Sequence, residues 1–502
     1  QVENITLLDC YVGKKPAYGI LYFTATHLIY VEASGAARKE TWIVIHHIAT
    51  VEELPFNNLG CSLILYCKNF WVVHFVSGSD IVCHEVYISL LKLSQPEFPE
   101  DLYAFPYSPK SSKEKRENGW KLINPISDFG LMRIPNRYWT ITDANRNYEE
   151  VRVLKCCSYP PEIVVPKSVI LGMVVGSSKF RSKEWFPVLS YLYKENNAAT
   201  CHYSQPLSGF YTHCIDDKLL VEPSLHTWDE SHLVVVYNTF NVLLNMISKA
   251  AGKGYENENN YTNVHFRFMR IENIHHTMKR SFYRFRGVCE LKTPTKSEFL
   301  SGLESSGWLR YIKAIMDAGI FIAKAKKGHK NNIVIFCSNM WDTTPGLCSV
   351  ASLVGMFPYT AFQGLYGLGS YIFAVCFEGI IYLGGEYHLA WCGHLNGDFK
   401  EVYPIFTQFL GCIWKLLEEF SCAFEFNENF LLEIHDHVFT CQYGNFLGNC
   451  QKDQEELSVY EKTHSVWPFL VQRKQDFKNP LYKDFTIYGV LNPSTVCPTT
   501  FS

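Results

Sequence analysis

Phe336-Cys337-Ser338-Asn339-Met340-Trp341-Asp342-Thr343-Thr344 follows directly on the apolar run Asn332-Ile333-Val334-Ile335-Phe336 and leads into helical spacing from Leu347 to Leu353. A cysteine in such a loop can present a thiolate to an electrophilic phosphorus, while backbone N–H groups at the helix start gather the phosphate oxygens. The preceding run reads as a buried strand, so the frame for anion binding is written in the sequence. The charge is not. Phosphoryl chemistry of this kind relies on an arginine that clamps two oxygens in a bidentate fork, and the place for it holds Thr343.

A loop of this sort must be held by a large core, and the chain has the means. Its 502 residues are 47% hydrophobic and 15% aromatic, enough for more than one packed domain. With 46 Lys+Arg against 49 Asp+Glu the net charge is -3, so no whole-chain basic field recruits nucleic acid. An anionic partner must be met by a local patch. The 18 cysteines are scattered and show no C-x-x-C spacing for zinc, which predicts reduced thiols and a cytoplasmic chain. No signal peptide is read at Gln1-Val2-Glu3-Asn4, and the apolar stretch from Leu365 to Gly385 reads as buried strand or loop rather than a membrane span, since Glu378 lies inside it.

Residues 1–100 carry short alternating strands: Gly19 to Thr24, His27 to Val31, Thr41 to Ile45, Ser62 to Tyr66 and Phe70 to Phe75. An amphipathic helix follows, with Val82, Val86, Leu90, Leu91 and Leu93 on one face and Asp80 as the expected N-cap. Strands closed by one helix is the pleckstrin-homology order. Prolines and the charged run Lys110 to Glu117 place a solvated linker at 101–120. From 121 to 502 helical and strand-like segments alternate, as in an α/β domain with a central sheet. Ser297 to Lys326 is the clearest helical region, through Phe299, Leu303, Leu309, Ile312, Ile315, Met316 and Ile320, and Val402 to Phe420 is a second helical stretch through Ile405, Phe409, Ile413 and Leu416 or Leu417.

With these segments in place, the chain resembles the myotubularin-related phosphoinositide phosphatases. The likeness rests on Arg38-Lys39-Glu40-Thr41-Trp42-Ile43, on Val175-Gly176-Ser177-Ser178-Lys179-Phe180-Arg181-Ser182-Lys183 and on Ser204-Gln205-Pro206-Leu207-Ser208-Gly209-Phe210. It continues in Ala250-Ala251-Gly252-Lys253-Gly254-Tyr255-Glu256-Asn257, Ser306-Gly307-Trp308-Leu309, Gly444-Asn445-Phe446-Leu447-Gly448-Asn449 and Trp467-Pro468-Phe469. The resemblance implies an N-terminal GRAM domain, a PH-like β-barrel with a closing helix, at 1–100. It implies a cysteine-phosphatase domain at 121–502 that removes the 3-phosphate from phosphatidylinositol 3-phosphate and the 3,5-bisphosphate. It also implies peripheral attachment to endosomal or other phosphoinositide-bearing membranes, a link to autophagy, and dimerisation through a C-terminal coiled coil, whose heptads are not seen before Ser502.

The family loop reads H-C-S-D-G-W-D-R. This chain keeps Cys337, Ser338, Trp341 and Asp342 and carries Phe336, Asn339, Met340 and Thr343 at the changed positions. By resemblance Cys337 is a vestigial nucleophile and Asp342 a vestigial general acid. The substrate-binding set is Ser338, Asn339, Met340, Trp341 and Thr343, with Asn273 and Ile274 of the wall and Ser248 in place of the family asparagine. Tyr387 stands where the family has a basic residue. Losing a donor to developing negative charge lowers rate by roughly 10²- to 10³-fold, and losing an arginine fork by at least as much. The same loss leaves Cys337 with only the helix dipole to ionise it. Asp342 then has a structural part to play, as the cap of the following helix. The expected function is therefore that of a pseudophosphatase that binds phosphoinositides weakly or without hydrolysis, as a homodimer or a heterodimer with another myotubularin-related protein. The alternative is an active 3-phosphatase acting through Cys337. No cofactor and no metal are expected, since His435 and His437 diverge on a helix, and Lys179, Arg181 and Lys183 are candidates for a headgroup contact or a surface turn.

Overall fold

The computed structural model describes residues 1–8, 16–33, 39–94, 98–109, 113–122, 129–130, 132–145, 159–193, 196–207, 214–221, 233–238, 264–269, 271, 279–290, 295–329, 332–337, 343–355, 404–448, 451–483 and 490–493. The apolar stretch 365–385 lies outside them. Among the described residues no helix is long and apolar enough to cross a membrane.

Alternating apolar residues build the first unit. Strands β1 (Val2–Leu8), β2 (Ala17–Phe23), β3 (His27–Glu32), β4 (Glu40–Val44), β5 (Ile48–Asn57), β6 (Gly60–Cys67) and β7 (Val72–Ser77) form one seven-stranded antiparallel sheet in the order β4-β3-β2-β1-β7-β6-β5. Helix α1 (Asp80–Ser94) covers it, burying Cys83, Val86 and Leu90 against Leu21, Leu28, Ile43, Leu65 and Phe75. The cap differs from expectation. Asp80 is already helical, and the Ser79 hydroxyl accepts from the Val82 amide at 3.5 Å while the Ser79 carbonyl accepts from Cys83 at 3.1 Å. Ser79 therefore does the work expected of Asp80, leaving that carboxylate in the first turn where the helix dipole favours it.

The stretch read as a solvated linker is built differently. Leu102 and Ala104 are fully buried with Cys441, Leu447 and Val459, and α2 (Lys113–Trp120) presents Trp120, whose Nε1–H donates to the Thr463 carbonyl at 3.2 Å. Four apolar anchors, Leu102, Ala104, Phe105 and Trp120, are too widely spaced to register as periodicity, yet they fasten this segment to helices far along the chain.

Beyond it lie the two-stranded sheet β8 (Trp139–Thr142) and β9 (Ile163–Pro166), then α3 (Leu171–Phe180), β10 (Val188–Tyr193), β11 (Ala198–Ser204), α4 (Ile215–Val221), β12 (Leu233–Asn238) and β13 (Val264–Met269). Helices α5 (Lys279–Cys289), α6 (Lys296–Ser306) and α7 (Trp308–His329) lead into β14 (Asn332–Cys337) and α8 (Thr343–Gly355), with α9 (Ile405–Glu419) and α10 (Glu428–Thr440) completing the larger helices. The central sheet runs β10-β11-β14-β12-β13, parallel from β11 onward with β10 antiparallel at its edge.

The helical region read over Ser297 to Lys326 is built of two helices. Thr295 and Glu298 form a capping box at the start of α6, and Gly307, at φ +75°, ends it in the left-handed conformation before α7 begins. The apolar spacing continues across the break, which is why it reads as unbroken. Ile312, Ile315, Met316, Ile322 and Ala323 of α7 share one core with Leu347, Val350 and Val354 of α8. Gly319 makes this contact close: a Cβ there would lie 2.7 Å from Val350 Cγ1.

Candidate functional site

Strand β14 is the middle strand of the sheet, hydrogen-bonded to β11 on one side and β12 on the other, and Ile333, Val334 and Ile335 are buried. Its last residue is Cys337, in register with Ser204 of β11. Helix α8 begins at Thr343. Ligands of open parallel sheets meet the carboxyl ends of strands, where a following helix points its free amides at them. Cys337 and the first turn of α8 occupy that place. In this turn Thr343, Thr344 and Gly346 carry amide hydrogens, whereas Pro345 has none. Thr344 is 1% exposed, and among the described residues its hydroxyl has no hydrogen-bond partner.

Ser338, Asn339, Met340, Trp341 and Asp342 lie outside the described residues, as do Ser248, Asn273, Ile274 and Tyr387. Of the loop the structure describes only the two ends, Cys337 closing β14 and Thr343 opening α8.

A cation does lie at this level of the sheet, but it is engaged. Arg181, immediately after α3, is 1% exposed, and its Nε–H donates to Asp217 Oδ1 of α4 at 2.8 Å while Nη2 reaches Asp217 Oδ2. Nη1 donates to the carbonyl of Ser204, the register partner of Cys337, at 3.1 Å. The Ser177 hydroxyl adds a further bond to Asp217, and the guanidinium lies 4.0 Å over the Tyr203 ring. Of the three basic residues considered for a headgroup, Lys179 and Lys183 are exposed and Arg181 is not. It fixes the loop after α3 to the end of β11 and so acts on the frame of the site. The sequence suggested a headgroup contact or a surface turn, and the buried pair with Asp217 is neither; its partner lies 36 residues away.

Two further contacts bind the first unit to the second, and spacing alone could not show them. The turn between β6 and β7 inserts Phe70, edge-on to Phe282 and Phe285 of α5 and stacked on His435 of α10. Beside it His47 Nε2–H donates to the Asp436 carbonyl at 3.0 Å, and Asn69 Nδ2 to Asp436 Oδ1 at 3.2 Å. His435 and Asp436 thus serve a domain junction. His435 pairs with the Thr407 hydroxyl at 3.2 Å, whereas His437 packs edge-on to Tyr443 and Phe469.

Residues 102–455 match the family described as the myotubularin-like phosphatase domain, and residues 1–94 match the GRAM domain described for MTMR6-9. The chain belongs to the myotubularin family. It comprises a GRAM, PH-like domain with an antiparallel sheet, followed by a myotubularin phosphatase domain of helices and sheets. It is 69% identical over 496 residues to the human phosphatidylinositol-3,5-bisphosphate 3-phosphatase MTMR8, covering 99% of this chain and 68% of that protein. The human phosphatidylinositol-3-phosphate phosphatase MTMR7 is 47% identical, with 99% of this chain and 74% of that protein covered. For the human phosphatidylinositol-3,5-bisphosphate 3-phosphatase MTMR6 the identity is 45%, and the shares are 99% and 78%. The likeness read from the motifs points to this same subgroup of myotubularin-related proteins 6, 7 and 8. Myotubularin lineage is thus a lineage of phosphoinositide 3-phosphatases.

Proposed function

We propose that this myotubularin binds 3-phosphorylated phosphoinositides and does not turn them over at a useful rate. The observation that carries the reading is Thr343. It opens α8 at the place where a bidentate cation must face the dianion, and a hydroxyl there supplies neither charge nor fork. Arg181 is no substitute, because its Nε and Nη2 are held by Asp217 and its Nη1 by Ser204. Cys337 keeps the place of a nucleophile and Asp342 that of an acid. Ser338, Asn339, Met340, Trp341 and Thr343 form the phosphate-facing loop, with Ser248, Asn273 and Ile274 as the wall of the pocket. The GRAM domain at 1–100, joined through 101–120 to the phosphatase domain at 121–502, delivers the chain peripherally to phosphoinositide-bearing membranes such as endosomes. There it acts by pairing with an active myotubularin-related protein or with itself.

Phosphate release from short-chain phosphatidylinositol 3-phosphate and 3,5-bisphosphate tests the proposal, with Cys337→Ser as control. Release indistinguishable between the two chains is expected; release that depends on Cys337 overturns it. The second reading, an active 3-phosphatase, has one observation in its favour: the relatives at 69% and 45% identity carry that activity in their names. The same assay decides between them.

A further inference from the structure

The first turn of α1 meets the β5–β6 hairpin at a group of donors that neither the phosphate site nor the domain junction uses. Cys61 near the start of β6 and Cys83 in α1 are free thiols, 1% and 2% exposed, and Glu53 of β5 lies beside them. One donor atom from each of the three lies within 4.8 Å of the others, and Cys61 Sγ is 4.0 Å from Glu53 Oε1. A tetrahedral zinc ion with sulfur at ~2.3 Å and oxygen at ~2.1 Å sets its donors ~3.5–3.8 Å apart. The group is thus within a few tenths of an ångström to one ångström of a ligand shell, on three elements that the fold already holds together.

We propose that Glu53, Cys61 and Cys83 form a site for a borderline divalent cation, Zn²⁺ first, in the GRAM domain. Two thiolates and a carboxylate more than neutralise the ion, and their sulfur selects it over the hard cations that prefer oxygen alone. The Asp80 carboxylate lies beside the Cys61 thiol but outside the three-donor group, which leaves the fourth position to water. Outside the shell, His84 Nδ1 meets Glu53 Oε2 at 3.0 Å, the kind of partner that orients a ligating carboxylate. Zinc takes thiolates rather than thiols, so binding releases protons. The ion would staple the hairpin to α1. Because the two cysteines come from different elements with β7 between them in the chain, no C-x-x-C spacing announces the site.

The full chain, purified reduced and without chelator, is expected to retain about one zinc per molecule. Replacing it with Co²⁺ should give the thiolate-to-cobalt charge-transfer band and the intense visible bands of a tetrahedral centre. Both should vanish in Cys61→Ser/Cys83→Ser and persist in Cys214→Ser. Glu53→Gln, at a partly exposed position that any folded chain tolerates, should weaken Zn²⁺ by at least about tenfold in a competition with a chromophoric chelator. A cobalt spectrum without a thiolate band, a Cys61–Cys83 disulfide found by peptide mapping of the reduced preparation, or unchanged affinity in Glu53→Gln overturns the proposal. Should the double variant fail to fold, the Glu53→Gln titration decides alone.

Discussion

Thr343 opens the helix after β14, and Arg181 is anchored to the end of the neighbouring strand β11. Thr343 brings no charge to the first residue of α8; at Arg181 a charge is present but committed to Asp217. We expect Thr343→Arg alone to leave phosphate release at least 10²-fold below that of an active relative assayed beside it, because Asn339, Met340, Ser248 and Tyr387 still depart from the family pattern. Turnover close to the relative's would show that those departures are tolerated. Removing the engaged arginine has a different effect. Arg181→Met strands a fully buried Asp217, and the loss of stability should be about 3–5 kcal/mol by denaturant unfolding. The strand that ends at Cys337 and the helix that opens at Thr343 were legible in the sequence because an apolar run and a helix signal lie in close succession. The role of Arg181 was not, since its meaning depends on which acid it meets, and Asp217 arrives from another helix.

Among the elements, α7 decides how α8 is presented to the loop. Its start is set by Gly307, and its approach to α8 by Gly319. Gly307→Ala forces a Cβ into the left-handed region and should lower stability by about 1–2 kcal/mol while leaving the helix content of the circular dichroism spectrum intact. Gly319→Val drives a branched side chain toward Val350, a contact already at 2.7 Å for a bare Cβ. Overpacking there should lower stability by about 1–3 kcal/mol, read as a lower denaturation midpoint. Helix existence was legible: Ile405, Phe409, Ile413 and Leu416 lie on one buried face of α9 as their spacing requires. Boundaries were less so. The apolar stripe passes through Gly307 without interruption, so only the conformation of that residue divides α6 from α7, and the anchors of 101–120 are hidden among charges.

At the scale of the whole molecule, the junction between GRAM and phosphatase domains rests on buried histidines. Burial lowers His46 and His47 to about 4 and His435 to about 3, against an ordinary value near 6.5. Each is neutral in the folded chain at pH 7, and below pH 6.5 the unfolded chain takes up protons that the folded chain does not. Their contribution to stability is therefore complete above about pH 6.5 and is lost as pH falls toward 4, with a slope of up to about 1.4 kcal/mol per pH unit for each histidine. Thermal melting followed from pH 7 to pH 4.5 should show that decline, and His47→Gln, which keeps a donor for the Asp436 carbonyl, should flatten it. An unchanged slope would exclude His47 as a contributor. Two domains were legible from the change from strand alternation to mixed periodicity; how they meet was not, since His47, Phe70 and Asp436 are conspicuous only once folded together. The seat of Trp120 has a practical corollary. With its indole edge-on to Tyr460 at 4.9 Å and hydrogen-bonded to Thr463, the tether between domains is moored to residues that lie past the end of the matched phosphatase region at 455. Proteolytic nicking at 456–463 would cast that mooring off, and a red shift of the Trp120 emission would record the moment of release.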